Sequence, residues 1–309
     1  MENVEFPNRN GQGVTIAGAL YRPRGFDAAT KYAAVVVTHP GGGVKEQTAG
    51  LYASELAASG LVAIAFDASY QGESTGEPRH LENPHFRTED VSAVIDYLAT
   101  LPFVDDSRIG VLGICAGGGY SANAATNDRR IRAVGTVSCV NIGGMFRNGW
   151  DNAGKVADAL GLLELGASAR TSEARGAEPA TLPLAPLKKE DAPNADMAEA
   201  WEYYRTPRCE HPNAPGIMLA RSLTQLVAYD AYDSAEVFLT QPLLIVVGSE
   251  AGSKWMSDDL LARAASADKT MHVIEGARHI ALYDEPERVA EALSKLVPFF
   301  EAKLKPRGE

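Results

Sequence analysis

Cysteine is scarce in this chain, with three residues in 309, at positions 115, 139 and 209. An odd number at such wide spacing makes neither a disulfide framework nor a metal site. Long apolar runs are also missing. No stretch approaches the ~20 consecutive apolar residues of a membrane helix, and the N-terminal MENVEFPNRNGQG has neither the basic segment nor the apolar core of a secretory signal. A cytoplasmic protein without membrane contact is expected. Basic charge is outweighed as well: 29 Lys plus Arg stand against 40 Asp plus Glu, a formal net charge of −11. That balance opposes binding to nucleic acid or to anionic lipid. No internal repeat or coiled-coil heptad is evident, and the oligomeric state, a homo-oligomer included, stays open.

What is present is an alternation of strand and helix patterns. Val14 to Tyr21, Ala33 to Thr38, Leu61 to Phe66, Ile109 to Ile114 and Val134 to Val140 read as strands. Thr48 to Ser59 and Thr88 to Leu101 between them carry helical apolar stripes, the second with a capping threonine. Such a rhythm predicts an α/β protein with a mostly parallel central sheet and helices on both faces. After Val140 the rhythm breaks for roughly 100 residues, too long for plain loop. Residues 141–239 are therefore expected to form an inserted helical cap on a core made of residues 1–140 and 240–309. The pattern resumes with a strand at Pro242 to Gly248, a helix near Asp258 to Ala265, a strand at Thr270 to Glu275 and a last helix from Glu285 to Leu304.

The chemistry is concentrated in RIGVLGICAGGGY, Arg108 to Tyr120. An apolar strand stops at Cys115, and Gly113, Cys115 and Gly117 form G-x-C-x-G, a nucleophile elbow with Cys in place of Ser. The turn from strand into helix is tight, so residues two before and two after the nucleophile must lack side chains. A thiol there stands at a helix N-terminus, where the dipole favours thiolate and the Ala116 N–H is free to bind an oxyanion. Cys139, in AVGTVSCV, reads as a core residue, and Cys209 as a loop residue.

His279 is the expected base because GARHIALYD places it in the loop after the last strand, giving the chain order nucleophile, acid, histidine. His39 is expected to brace a loop. The acid belongs after the strand ending at Gly248; Glu250 is nearest, although the usual position is one later, at Ala251. Asp258 and Asp259 read as helix N-terminal charges, and Asp230 and Asp233 are rivals for the acid. In His39-Pro40-Gly41-Gly42-Gly43 proline has no N–H, leaving Gly41 or Gly42 as the second oxyanion donor. No phosphate-binding G-x-x-x-x-G-K-[ST] pattern is present.

Through THPGGG, FDASYQGESTG, GVLGICAGGGY, LLIVVGSEAG and GARHIALYDEPERV the chain resembles α/β-hydrolases of the dienelactone-hydrolase-like branch. Within them it is most similar to bacterial hydrolases and fungal polyketide-transferring enzymes with an inserted cap. The resemblance implies acyl transfer through a covalent enzyme intermediate, a small-molecule acyl substrate, and no metal or organic cofactor. It also points to Glu46 as the counterpart of a glutamate that contacts the Cys in dienelactone hydrolases. Cys115, His279 and Glu250 are thus the expected catalytic residues for hydrolysis of an ester, lactone or thioester. An acyltransferase on the same triad and a silent ligand-binding member of the fold are the alternatives. Met145, Phe146, Trp150, Trp201, Tyr203 and Tyr204 are expected to roof the pocket for an apolar acyl group, with Arg205 as an anchor and no part of the core chemistry in the cap.

Overall fold

The computed structural model describes residues 1–306. The core runs β1 (Glu2–Pro7), β2 (Thr15–Tyr21), β3 (Tyr32–Thr38), α1 (Thr48–Ala58), β4 (Val62–Phe66), α2 (Pro84–Thr100), β5 (Val104–Ile114), α3 (Ala116–Asn127) and β6 (Ile131–Val137). A long insert follows, with α4 (Ile142–Asn148), α5 (Leu160–Ala174), β7 (Thr181–Pro183), α6 (Ala195–Arg205), β8 (Ile217–Leu219), α7 (Leu223–Leu226) and α8 (Ala235–Phe238). The core resumes with β9 (Leu243–Gly248), α9 (Lys254–Arg263), β10 (Lys269–Ile274), α10 (Ala281–Asp284) and α11 (Pro286–Lys303).

Eight strands form one sheet in the order β1-β2-β4-β3-β5-β6-β9-β10. From β4 to β10 all pairings are parallel, while β2 is antiparallel to both β1 and β4. Parallel strands covered on both faces read as unbroken apolar runs, and β3, β4 and β9 are buried along nearly their whole length. One face packs α2 through Val91, Val94, Ile95 and Leu98. The other packs α1 and α11 through Tyr52, Leu56, Leu296 and Phe300. Phe300 lies in a groove floored by two glycines: a Cβ on Gly110 or on Gly135 would come within 2.9 Å of its ring.

Two boundaries differ from the sequence reading for identifiable reasons. Helix α2 starts four residues before Thr88 because Asn83 caps it, its side chain accepting from the N–H groups of His85 and Phe86, with Pro84 at the first helical position. The edge strand β1 carries only one fully buried side chain, Phe6, so its polar sequence shows no strand alternation. Within the insert, β7 and β8 pair as a two-stranded antiparallel ribbon.

Because the central strands are parallel, their carboxyl ends lie at one edge of the sheet, the edge where ligands meet open α/β sheets. His39 follows β3 there, Cys115 follows β5, and the loops after β9 and β10 deliver Ser253 and His279.

Candidate active site

Cys115 has φ 55° and ψ −124°, a positive φ that costs a non-glycine residue free energy and persists only where the surroundings enforce it. Its N–H donates to the Val137 carbonyl at 3.0 Å, and its carbonyl accepts from Gly118 and Val140, both at 2.9 Å. The flanking glycines are required by contact. A Cβ on Gly113 would lie 2.2 Å from the Gly117 carbonyl oxygen, and one on Gly117 would lie 2.3 Å from that of Thr38.

Cys115 as a whole residue is half-buried. The backbone N–H groups of Ala116 and Gly41 and the hydroxyl of Tyr283 lie beside the thiol and favour its thiolate form. Burial raises the Cys115 thiol above its ordinary range, while these three donors and the Arg87 cation oppose the rise. Gly41 is therefore the glycine that faces the sulfur. Gly42, at φ 69°, turns the chain beneath Leu184 of the insert.

The loop carrying Gly41 is fixed from behind. His39 is buried; its Nε2 accepts from the Ala68 N–H at 3.1 Å and its Nδ1 donates to the Pro40 carbonyl at 2.6 Å. Burial first, and then the neighbouring Arg87 cation, hold this imidazole well below its usual range. Arg87, buried on α2, donates to the His39 carbonyl at 2.8 Å and lies over the Tyr120 ring at 4.9 Å.

His279 is buried beside Tyr283, whose hydroxyl is 3.0 Å from Nε2. Nδ1 faces the Ser253 hydroxyl at 2.5 Å, and the Trp150 ring packs edge-on against the imidazole at 4.7 Å. Burial pulls the His279 pKa down to about 4, against the opposing field of Asp196. With Nδ1–H donating to Ser253, Nε2 is left free to accept from the tyrosine hydroxyl.

The structure does not bring Glu250 to His279. Its side chain is 55% exposed, 3.8 Å from Arg278, because the loop turns outward directly after β9. Asp230 is engaged by Arg263 at 2.8 Å and Asn141 at 2.7 Å, Asp258 by Lys254 at 2.7 Å, and Asp259 lies 3.7 Å from Arg263. Asp233 lines a separate cleft with Asn123 and Phe238. Glu46 pairs with Lys45 rather than with the thiol. Among the described residues, Glu46, Asp67 and Glu73 converge as one carboxylate trio of the kind that could hold a metal ion. Lys45 Nζ lies 2.6, 2.8 and 2.7 Å from them and occupies that position itself.

The insert residues divide. Trp150 and Tyr204 reach the candidate site, Trp150 against the His279 ring and Tyr204 beside Tyr283 and Cys115. Tyr203 packs edge-on against Tyr283 at 5.3 Å and accepts from the Thr48 N–H at 3.0 Å. Met145 and Phe146 pack on the core cluster. Trp201 does not roof the site; its indole N–H donates to the Leu187 carbonyl at 3.3 Å in exposed surroundings. Arg205 is not an anion anchor, since its guanidinium is spent on backbone carbonyls, with Pro215 at 2.7 Å and Gly216 at 3.3 Å.

Three participants escaped the sequence reading. Tyr283 stands four residues after His279, a spacing that could have signalled it. Ser253 and Asp196 carried no such signal: an aspartate in the first turn of a helix is ordinarily read as a partner of the helix dipole.

The sheet, the elbow at the end of β5 and the histidine after the last strand define an α/β hydrolase. The chain belongs to the alpha/beta hydrolase family, whose pattern it matches over residues 35–292. It is 60% identical to the YcjY protein of Escherichia coli (strain K12), covering 97% of this chain and 98% of that one. The crystal structure of PA2218 from Pseudomonas aeruginosa superimposes with a TM-score of 0.88 at 32% identity, covering 98% of this chain and 93% of that one. A thiohydrolase of Eupenicillium brefeldianum is 26% identical over 90% of this chain and 87% of its own length. No helix among the described residues is long and apolar enough to cross a membrane.

Proposed function

We propose that this hydrolase cleaves a carboxylic ester, lactone or thioester through an acyl thioester formed on Cys115. The observation that carries the reading is the Cys115 sulfur set at a strained elbow beside two backbone N–H groups, that of Ala116 in the elbow and that of Gly41 in the loop after β3. An incoming carbonyl oxygen takes over these donors as the sulfur swings toward the carbonyl carbon. As the C–S bond forms, the thiol proton passes to the Tyr283 oxygen, the tyrosine proton passes to Nε2 of His279, and the carbonyl electron pair moves to oxygen, where the N–H groups stabilise it.

Collapse of the tetrahedral species expels the alkoxide or thiolate, which takes the proton back from His279. Water then repeats the sequence on the acyl-enzyme, with His279 as base, and releases the acid and the free thiol. The insert lies over this chemistry as a lid, with Trp150 and Tyr204 beside the reacting atoms. A thiohydrolase among the relatives supports thioesters within the substrate class.

The test is intact-protein mass spectrometry after exposure to p-nitrophenyl butyrate and to the butyryl thioester of N-acetylcysteamine. A butyryl adduct mapped to Cys115, absent in Cys115→Ala, is expected. Full turnover in Cys115→Ala refutes the assignment, and butyryl transfer to an added alcohol or amine in preference to water makes the protein an acyltransferase.

A further inference from the structure

We propose that the carboxylate partnering His279 is Asp196, supplied by the insert instead of by the loop after β9. The inference rests on the acyl-Cys115 reading and adds a positioning residue to it.

Three observations converge on Asp196. Its side chain is buried at the start of α6. One oxygen, Oδ2, accepts from the Gly252 N–H at 2.8 Å and the Trp150 indole N–H at 2.7 Å, and Oδ1 faces the His279 N–H at 3.4 Å. A single carboxylate thus joins the loop after β9, the loop after β10 and the aromatic ring that packs on the imidazole. The space is also telling. A Cβ built on Gly252 would lie 3.1 Å from Asp196 Oδ2, so the insert carboxylate fills the room that a side chain from the β9 loop would enter. Finally, the candidate supplied by that loop, Glu250, is at the surface on Arg278.

Asp196 works at one remove from the proton transfer. It holds the backbone of His279 and sets negative charge beside a ring that must become cationic during each turnover, while Ser253 takes Nδ1. Its placement depends on how α6 docks, and the same helix is pinned at its far end. There Tyr203 accepts from Thr48 at 3.0 Å, and Arg208 just beyond pairs with Asp284 at 2.6 Å. Seating of the insert and completion of the site are therefore one event. The chain order stays nucleophile, acid, histidine.

The experiment compares Asp196→Asn, Asp196→Glu and the double variant Asp196→Ala/Gly252→Asp, the last in a Trp150→Ala background that clears the 2.7 Å approach of the Trp150 ring. kcat and KM are measured with the butyryl thioester, normalised to folded protein by circular dichroism, with iodoacetamide labelling of Cys115 in parallel. Asp196→Asn is expected to lower kcat about 100-fold, the scale of a misplaced catalytic group, with KM changed less than about threefold. Asp196→Glu should recover part of the loss. Relocating the carboxylate to position 252 should raise kcat at least about tenfold over Asp196→Ala/Trp150→Ala. Asp196→Asn with kcat within twofold of the parent per folded molecule overturns the proposal, as does relocation without recovery. Because labelling reports the thiol alone, a failure of the Cys115 reading would appear as turnover in Cys115→Ala and is separable from either result.

Discussion

The Tyr283 hydroxyl lies 3.0 Å from Nε2 of His279 and stands beside the Cys115 thiol, so in the proposed mechanism the base reaches the nucleophile through a phenol. Burial places the Tyr283 pKa well above its ordinary range. In the proposed mechanism the phenol therefore acts as a relay that takes one proton as it gives another, without standing as a phenolate.

Tyr283→Phe removes the relay and leaves the ring packing against Tyr203 in place. kcat for acyl thioesters is expected to fall by about 10²-fold to 10⁴-fold, the usual worth of positioned acid–base catalysis, with a small change in melting temperature. Stopped-flow acylation checks this, and a phenylalanine variant with unaltered kcat would place the thiol in direct contact with His279 during turnover.

The acid limb of the pH profile reports His279. With its pKa pulled down to about 4, the imidazole stays neutral and able to accept a proton well below pH 6.5. Turnover is expected to be lost as pH falls through about 4, not through about 6.5. Stability follows the same sign. Between the folded value and about 6.5 the unfolded chain binds a proton that the folded chain does not, so this contribution is complete above about 6.5 and lost as pH falls towards 4. Asp90, pushed up to about 6 by burial, opposes it, because the folded chain keeps a proton that the unfolded chain releases. kcat/KM and melting temperature measured together from pH 3.5 to 8 separate the two.

Thiol labelling discriminates among the cysteines. Cys139 is fully buried, its sulfur is 3.2 Å from the Tyr232 hydroxyl, and burial pushes its pKa up to about 12. Iodoacetamide at pH 8 is expected to modify Cys115 well before Cys139, and peptide mapping of the alkylated protein checks the order. Equal modification would mean that the β6 end opens in the native state.

Phe300→Ala tests the packing of α11. The ring fills the glycine-floored groove over β5 and β6, and its loss is expected to cost about 3–5 kcal/mol, typical of a large core truncation. Kinetic constants of the folded fraction should be unchanged. Urea unfolding followed by circular dichroism measures the loss, and a cost below about 1 kcal/mol would show that the groove collapses around the smaller side chain.

The sheet was legible because parallel strands buried on both faces announce themselves as apolar runs, as Ala33 to Thr38 and Leu243 to Gly248 do. The elbow was legible because steric need forces Gly113 and Gly117 into view. The rest was hidden for physical reasons. Phe6 alone anchors β1, too little to leave a pattern. Glu250 was placed by its nearness to the strand end, but chain proximity does not fix direction, and the loop turns its side chain to solvent. Trp201 and Arg205 carry the composition expected of a pocket, yet both are satisfied by carbonyls of the insert. Asp196 is about 80 residues from His279, and only the tertiary docking of α6 brings them together.

The docking of α6 also bears on how such a protein can be redesigned. Exchanging residues 141–239 for another lid is a natural way to seek a new specificity, but α6 carries the Tyr203 hydroxyl bound to Thr48 and the Asp196 carboxylate bound to Gly252. A graft whose junctions fall outside this helix discards both anchorages with the old roof. One that keeps Trp150 together with residues 195–208 and replaces the rest retains the keystone and changes only the vault.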